Sequence, residues 1–171
     1  FCGSEFIDFF GSATNATDYI WDFGDGTGTS TTGTQVSHKY SSLGNMQVIV
    51  TPYFNGCAGI KDTINIFIEG VLATFNYNNT CGSKNVYQFN NTSLGNITHF
   101  EWLFTDIPSL IDSLNFNPTH TFPSNGFYIA TLSINDSTTG CTDALTAYFF
   151  TAQPLFSSTT SSVCKDSLII Y

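Results

Sequence analysis

Tyr19, Trp21 and Phe23 alternate with Ile20, Asp22 and Gly24, a period of two that predicts a strand with one face on a core. The same period returns at Tyr128, Ala130, Leu132 and Ile134, with Ile129, Thr131 and Ser133 between them. Runs of this length, broken at short intervals by Gly, Asn, Ser and Pro, predict an all-β chain of antiparallel sandwiches. No stretch sustains a helical period of 3.6 residues. Immediately after the first strand, Gly24-Asp25-Gly26 predicts a chain reversal, because glycine accepts positive φ and an aspartate can bond the backbone N–H groups of a turn.

The strand pattern is repeated. "CGSEFIDFF" at 2–10 returns as "CGSKNVYQF" at 81–89, and "YIWDF" at 19–23 as "FEWLF" at 100–104. "SHKY" at 37–40 answers to "THTF" at 119–122, and "NGCAGIKDT" at 55–63 to "TGCTDAL" at 139–145. A further copy opens with "VCKDSLIIY" at 163–171. Self-similarity at a fixed period is the signature of an array. The expected organisation is a sandwich over 1–70, a divergent sandwich over 71–152, and the first strand of a third at 153–171. The chain thus reads as a window on a longer array, whose neighbouring repeats are its first expected partners.

Charge narrows the function classes. Four lysines and no arginine face thirteen acids, for a net charge of −9. That balance excludes a nucleic-acid role, which needs clustered cations to neutralise phosphates. No apolar run is long enough to predict insertion in a membrane. Hydrophobic residues make up 42% of the chain, sufficient for packed cores, so disorder is excluded as well.

Five cysteines without a close Cys-x-x-Cys pair predict disulfides rather than a thiolate metal site. Pairing inside each repeat gives Cys2–Cys57 and Cys81–Cys141 and leaves Cys164 for a module beyond the chain. Disulfides imply an oxidising, extracellular compartment.

Candidate chemistry is sparse. Asp22 and Asp25 could serve as acid/base groups or calcium ligands, since hard oxygen ligands suit that ion. The second copy carries Leu103 and Thr105 or Asp106 there, and the spacing misses an EF-hand, so the turn reading is preferred and no cofactor is expected. His38 and His120 occupy one repeat position and are expected to serve the fold; His99 has no counterpart. No G-x-S-x-G, H-E-x-x-H or phosphate-binding glycine loop occurs, and the chain reads as non-catalytic. Residues 105–118, with Ile107, Leu110, Ile111, Leu114 and Phe116, replace a polar loop of the first copy. They are expected to fold back over their own sandwich or pack at the junction, with a docking loop as the alternative; in the first case Ser at 110 and 114 should lower stability.

"WDFGDGT" followed by "SHKY" and "LGNMQVIV" resembles the signature of PKD domains, Ig-like β-sandwiches found in tandem on cell surfaces and in secreted enzymes. The likeness is close over 1–70, with Trp21, Phe23, Gly24, Asp25 and Gly26 as core and turn. It is looser over 71–152, where Trp102 keeps its place but "WLFTDIP" stands for "WDFGDGT". The added cysteines resemble those of very large adhesins of gliding bacteria exported by the type 9 route. The resemblance implies a stalk or filament at the bacterial surface, with surface polysaccharide and the export or motility machinery as partners. It also implies O-glycosylation at Asp-Ser/Thr-aliphatic tripeptides, here at Thr63, Ser113 and Ser167, although strand alternation favours that tripeptide too. The other reading is an accessory spacer of a secreted hydrolase, or a carbohydrate-binding module using Tyr53, Phe54 or Phe150.

Overall fold

The computed structural model describes residues 1–79, 85–106 and 111–151. The described residues form strands and turns, with no helix. The first half contains β1 (Phe6–Phe10), β2 (Asp18–Asp22), β3 (Gly28–Thr31), β4 (Gln35–Lys39), β5 (Gly44–Phe54), β6 (Cys57–Ala58) and β7 (Asp62–Ile68). The second contains β8 (Val71–Leu72), β9 (Phe75–Asn79), β10 (Val86–Asn91), β11 (Leu94–Gly95), β12 (His99–Phe104), β13 (Ile111–Asp112), β14 (Thr119–Thr121), β15 (Gly126–Asn135) and β16 (Thr142–Thr151). This is the expected all-β, Ig-like sandwich architecture.

In the first half β1 pairs antiparallel with β4, and β2 lies between β3 and β5, which also pairs with β6 and β7. The alternation of β2 buries Tyr19 and Trp21 and continues to Phe23. With Ile7, Phe9, Tyr40, Met46, Val48, Ile66 and Ile68 these close one core. The second half repeats the plan: β9-β10-β14 on one side, β13-β12-β15-β16 on the other. Phe89, Trp102, Phe104, Phe122, Tyr128, Ala130, Leu132 and Ile134 fill a separate core.

The two halves are not identical. Strand β10 is flanked by β14 and β9, whereas β1 pairs only with β4 among the described residues. Trp21 and Trp102 hold the same place in their cores, yet Trp102 Nε1 donates to the Phe116 carbonyl (3.3 Å) while buried Trp21 Nε1 has no partner among the described residues. The 105–118 insertion therefore supplies an acceptor that the first half lacks. It also returns to its own sheet, with Asp112 opposite Trp102 and Phe116 edge-on to Phe100 at 5.3 Å. Folding back is thus observed for this part of the loop. The expected stability role of Leu114 is not, because its side chain is 91% exposed; Ile107 and Leu110 lie outside the described residues.

The expected cysteine pairing is corrected. Cys2 is bonded to Cys141 across 139 positions, with their Cα atoms 5.6 Å apart, and Cys57 is free and exposed. The reason is the length of β5. Cys2 bridges Glu69, next to Ile68, which pairs with Gly44 at the start of β5; Cys57 pairs with Phe54 at its other end. Ten residues of extended strand separate those ends by about 34 Å, far beyond the roughly 7 Å that a disulfide tolerates between Cα atoms. The bond to Cys141 also excludes Cys81–Cys141; Cys81 and Cys164 lie outside the described residues.

Candidate functional site

Two features stand out: a repeated histidine–aspartate stack at the turn, and a covalent seam between the halves. The turn forms as the sequence predicts. Gly24 and Gly26 have φ of +78° and +87°, Asp22 Oδ1 accepts from the Gly24 N–H (3.0 Å), and Asp25 Oδ1 accepts from the N–H and the hydroxyl of Thr27 (3.0 and 2.6 Å). Gly24 has a second constraint: a Cβ there would fall 2.5 Å from the Gln47 carbonyl oxygen.

Asp25 also reaches His38, whose Nε2 lies 2.8 Å from Oδ2. A carboxylate only accepts, so this nitrogen carries the proton. The imidazole lies flat on Phe23, with centroids 3.9 Å apart and planes 3° apart, and edge-on to Tyr40 at 4.6 Å. The second half rebuilds the stack from Asp106, His120, Phe104 and Phe122. His120 Nε2 is 2.9 Å from Asp106 Oδ2, and the ring lies 4.1 Å from Phe104 at 6°. The histidines serve the fold, as expected. Sequence reading missed their partners, although the signal existed in near-constant spacing: 13 positions from Asp25 to His38 and 14 from Asp106 to His120. What the second half loses is Asp22, replaced by Leu103; the aspartate that matters is retained.

Burial pushes the Asp25 carboxyl up, but the hydrogen bonds from Thr27 and His38 outweigh it and hold it below the usual carboxylate range. Burial, helped by the Asp25 charge, pushes Tyr40 up to about 12; its hydroxyl donates to the Phe23 carbonyl (3.0 Å). These contacts engage the groups in holding the turn. Thr27, whose hydroxyl lies 3.5 Å from His38 Nε2, donates to Asp25 and so is not poised as a nucleophile. Asp22 and Asp25, the calcium candidates, both accept local bonds, and no group of three or more His, Cys, Asp or Glu assembles among the described residues. His99, opposite Asn135 on β15, has its ring Nδ1 3.3 Å from the neighbouring Thr98 hydroxyl and lines an open groove of about 540 Å³ together with Phe100 and Ile134.

The seam joins the end of the first half to the far end of β15. Gly140, at φ +77°, reverses the chain and presents Cys141, whose carbonyl accepts from the Asp136 N–H (2.9 Å). Gly70, at φ +88°, lies against it so closely that a Cβ would meet the Cys141 side chain, 2.6 Å from its Sγ. Ser4 donates to the Thr142 carbonyl (2.7 Å), and Asp143 Oδ2 accepts from the Ala73 N–H (2.8 Å). Asp136 is itself buried and lowered in pKa by the hydroxyl and N–H bonds from Thr138. In the chain-entropy account a closed loop of this length contributes on the order of 5 kcal/mol.

The other sequence-predicted positions lie apart from these features. Thr63 on β7 and Ser113 beyond β13 are exposed, while Ser167 lies outside the described residues. Tyr53 is half-buried and Phe54 exposed. Phe150 lies opposite Phe127 on the β15–β16 ladder, and Phe127 stacks on Tyr148 at 6.0 Å. This exposed aromatic strip was not anticipated beyond Phe150.

Residues 5–68 match the PKD domain family. No curated protein matches the chain. A solved structure of fibronectin(III)-like modules of Clostridium thermocellum CbhA is similar over 95% of this chain and 94% of that one, at 13% identity and a TM-score of 0.37. Residues 5–68 are thus similar to PKD domains, which are typically extracellular, non-catalytic modules, and the Cys2–Cys141 disulfide fits an extracellular location.

Proposed function

We propose that this chain is a non-catalytic repeat segment of a long bacterial cell-surface adhesin, acting as a stalk or filament for adhesion or gliding and exported by the type 9 route. The observation that carries the reading is the disulfide between the halves. A bond that ties the leading cysteine of one sandwich to a late turn of the next, where the two adjoin, restrains their separation, which suits load-bearing along an array. The units of that array are sandwiches over 1–70 and 71–152, with a third begun at 153–171. Exposed Thr63 and Ser113 remain available for O-glycans, which would hydrate a surface poor in charge. Surface polysaccharide and the motility or export machinery are the partners this role implies.

The test is the parent chain taken from its source and sequenced by mass spectrometry. Many further cysteine-bearing repeats without a catalytic domain are expected; a short chain ending in a hydrolase domain would overturn the stalk. The second reading, a carbohydrate-binding or spacer module of such a hydrolase, is favoured by the strip of Phe127, Tyr148 and Phe150, each more than 60% exposed. Binding of soluble glycans by the isolated chain, lost in Tyr148→Ser, would move the balance to it.

A further inference from the structure

Cys57 occupies the position in the first half that Cys141 occupies in the second. Trp21 pairs with Val50 on β5, and Trp102 with Leu132 on β15. Four residues further along, Phe54 pairs with Cys57 and the Asp136 N–H donates to the Cys141 carbonyl. Each cysteine follows a positive-φ glycine, Gly56 at +80° and Gly140 at +77°. The two thiols therefore stand at the same corner of the same fold. One is bonded to the leading cysteine of the half before it, and the other is exposed.

The surroundings differ in the same sense. At Cys141, which is buried, Gly70 lies against the side chain, Ser4 donates to the next residue's carbonyl, and the Ala73 N–H bonds Asp143 beyond it. At Cys57 it is bare: Ile60 is 94% and Phe54 51% exposed, and with Ala13, Ala16 and Pro52 they edge a groove of about 400 Å³. This apolar corner lies at the end of β5 remote from the Cys2 seam, and no described residue of the second half lines it.

We propose that Cys57 is the receiving half of an inter-repeat disulfide, and that its partner is the leading cysteine of another copy of this repeat seated on the Phe54–Ile60 corner. The bonding in the array is then staggered, each module's leading cysteine tied to the late-turn cysteine of the module after it. The inference rests on the array reading above but makes a separate claim, about where the bonds run. Bond formation requires a disulfide oxidant, such as a thiol–disulfide oxidoreductase. The Cys57 thiolate attacks the oxidant's disulfide and expels one of its sulfurs as a thiolate. The partner thiolate then attacks Cys57 Sγ and expels the other, so two thiols become one disulfide and two electrons and two protons pass to the oxidant.

The experiment places a second copy of residues 1–79, carrying Cys57→Ser, directly ahead of Phe1 of the whole chain. This sets the added Gly70 as far from Cys2 as the native Gly70 is from Cys81. After oxidative refolding, unreduced tryptic peptides are mapped; the native Cys2 peptide is distinguishable because it carries added residues ahead of Phe1. The expected result is residues 40–61 joined to the added copy's 1–39, with native Cys2 still joined to Cys141. Alkylated Cys57, or Cys57 joined to native Cys2, overturns the proposal while leaving the stalk reading intact. Loss of the Cys2–Cys141 bond would report a misfolded tandem. Unreduced mapping of protein taken from its source then decides: Cys57 joined to the leading cysteine of another repeat supports the proposal, and a free Cys57 or any other partner overturns it.

Discussion

Replacing Gly70 with Ala probes the seam more sharply than removing either cysteine, because its cost separates into two parts. The backbone part comes from φ +88°, where an L-residue costs about 1–2 kcal/mol. The steric part comes from the new methyl, which would lie 2.6 Å from Cys141 Sγ and against its Cβ. Forcing a group into such a contact costs roughly 1–3 kcal/mol. Gly26→Ala is the matched control, since it has nearly the same φ, +87°, and a Cβ there meets nothing within 4 Å. Gly70→Ala should therefore lose about 2–5 kcal/mol and Gly26→Ala about 1–2, the difference being the steric term. Urea melts followed by tryptophan fluorescence measure both, and thiol titration of the folded proteins reports whether Cys2–Cys141 still closes. Two extra thiols in Gly70→Ala would mean that the strain is relieved by leaving the bond open, at the further loss of its loop-closure contribution. Equal losses in the two variants with an unchanged thiol count would refute a close-packed seam.

Four other outcomes are expected. Leu114→Ser should shift stability by no more than about 0.5 kcal/mol, because the side chain is exposed; a larger loss in a denaturant melt would mean that it packs against a surface. Tyr40→Phe removes the hydrogen bond to the Phe23 carbonyl and should cost about 1 kcal/mol at neutral pH. Because the folded Tyr40 pKa is raised to about 12, its contribution is complete below pH 10 and is lost as pH rises toward 12; the alkaline decline in melting temperature should be shallower in Tyr40→Phe. Asp25 has the opposite sign: its lowered pKa makes a contribution that is present above about pH 4 and lost below it, so acid melts of Asp25→Asn should show a weaker pH dependence than the parent.

The sequence by itself determined the strands, the turn and the two-fold repetition. These rest on short-range physics: a period of two buries Tyr19, Trp21 and Phe23 together, and Gly24-Asp25-Gly26 reverses the chain by its own backbone freedom. It also placed His38 and His120 at one structural position. Their aspartate partners stayed hidden because they lie 13 or 14 positions away, and only the packing of β4 and β14, each in the other sheet of its half, against the turns after β2 and β12 brings Asp25 and Asp106 onto the imidazoles. The cysteine pairing was decided wholly by tertiary structure. Sequence proximity favoured Cys2 with Cys57, but an eleven-residue β5 holds them at opposite ends of one sandwich. The bond forms where the Cys2 end of the first half meets the Cys141 corner of the second, because strand length rather than chain separation sets which thiols can touch.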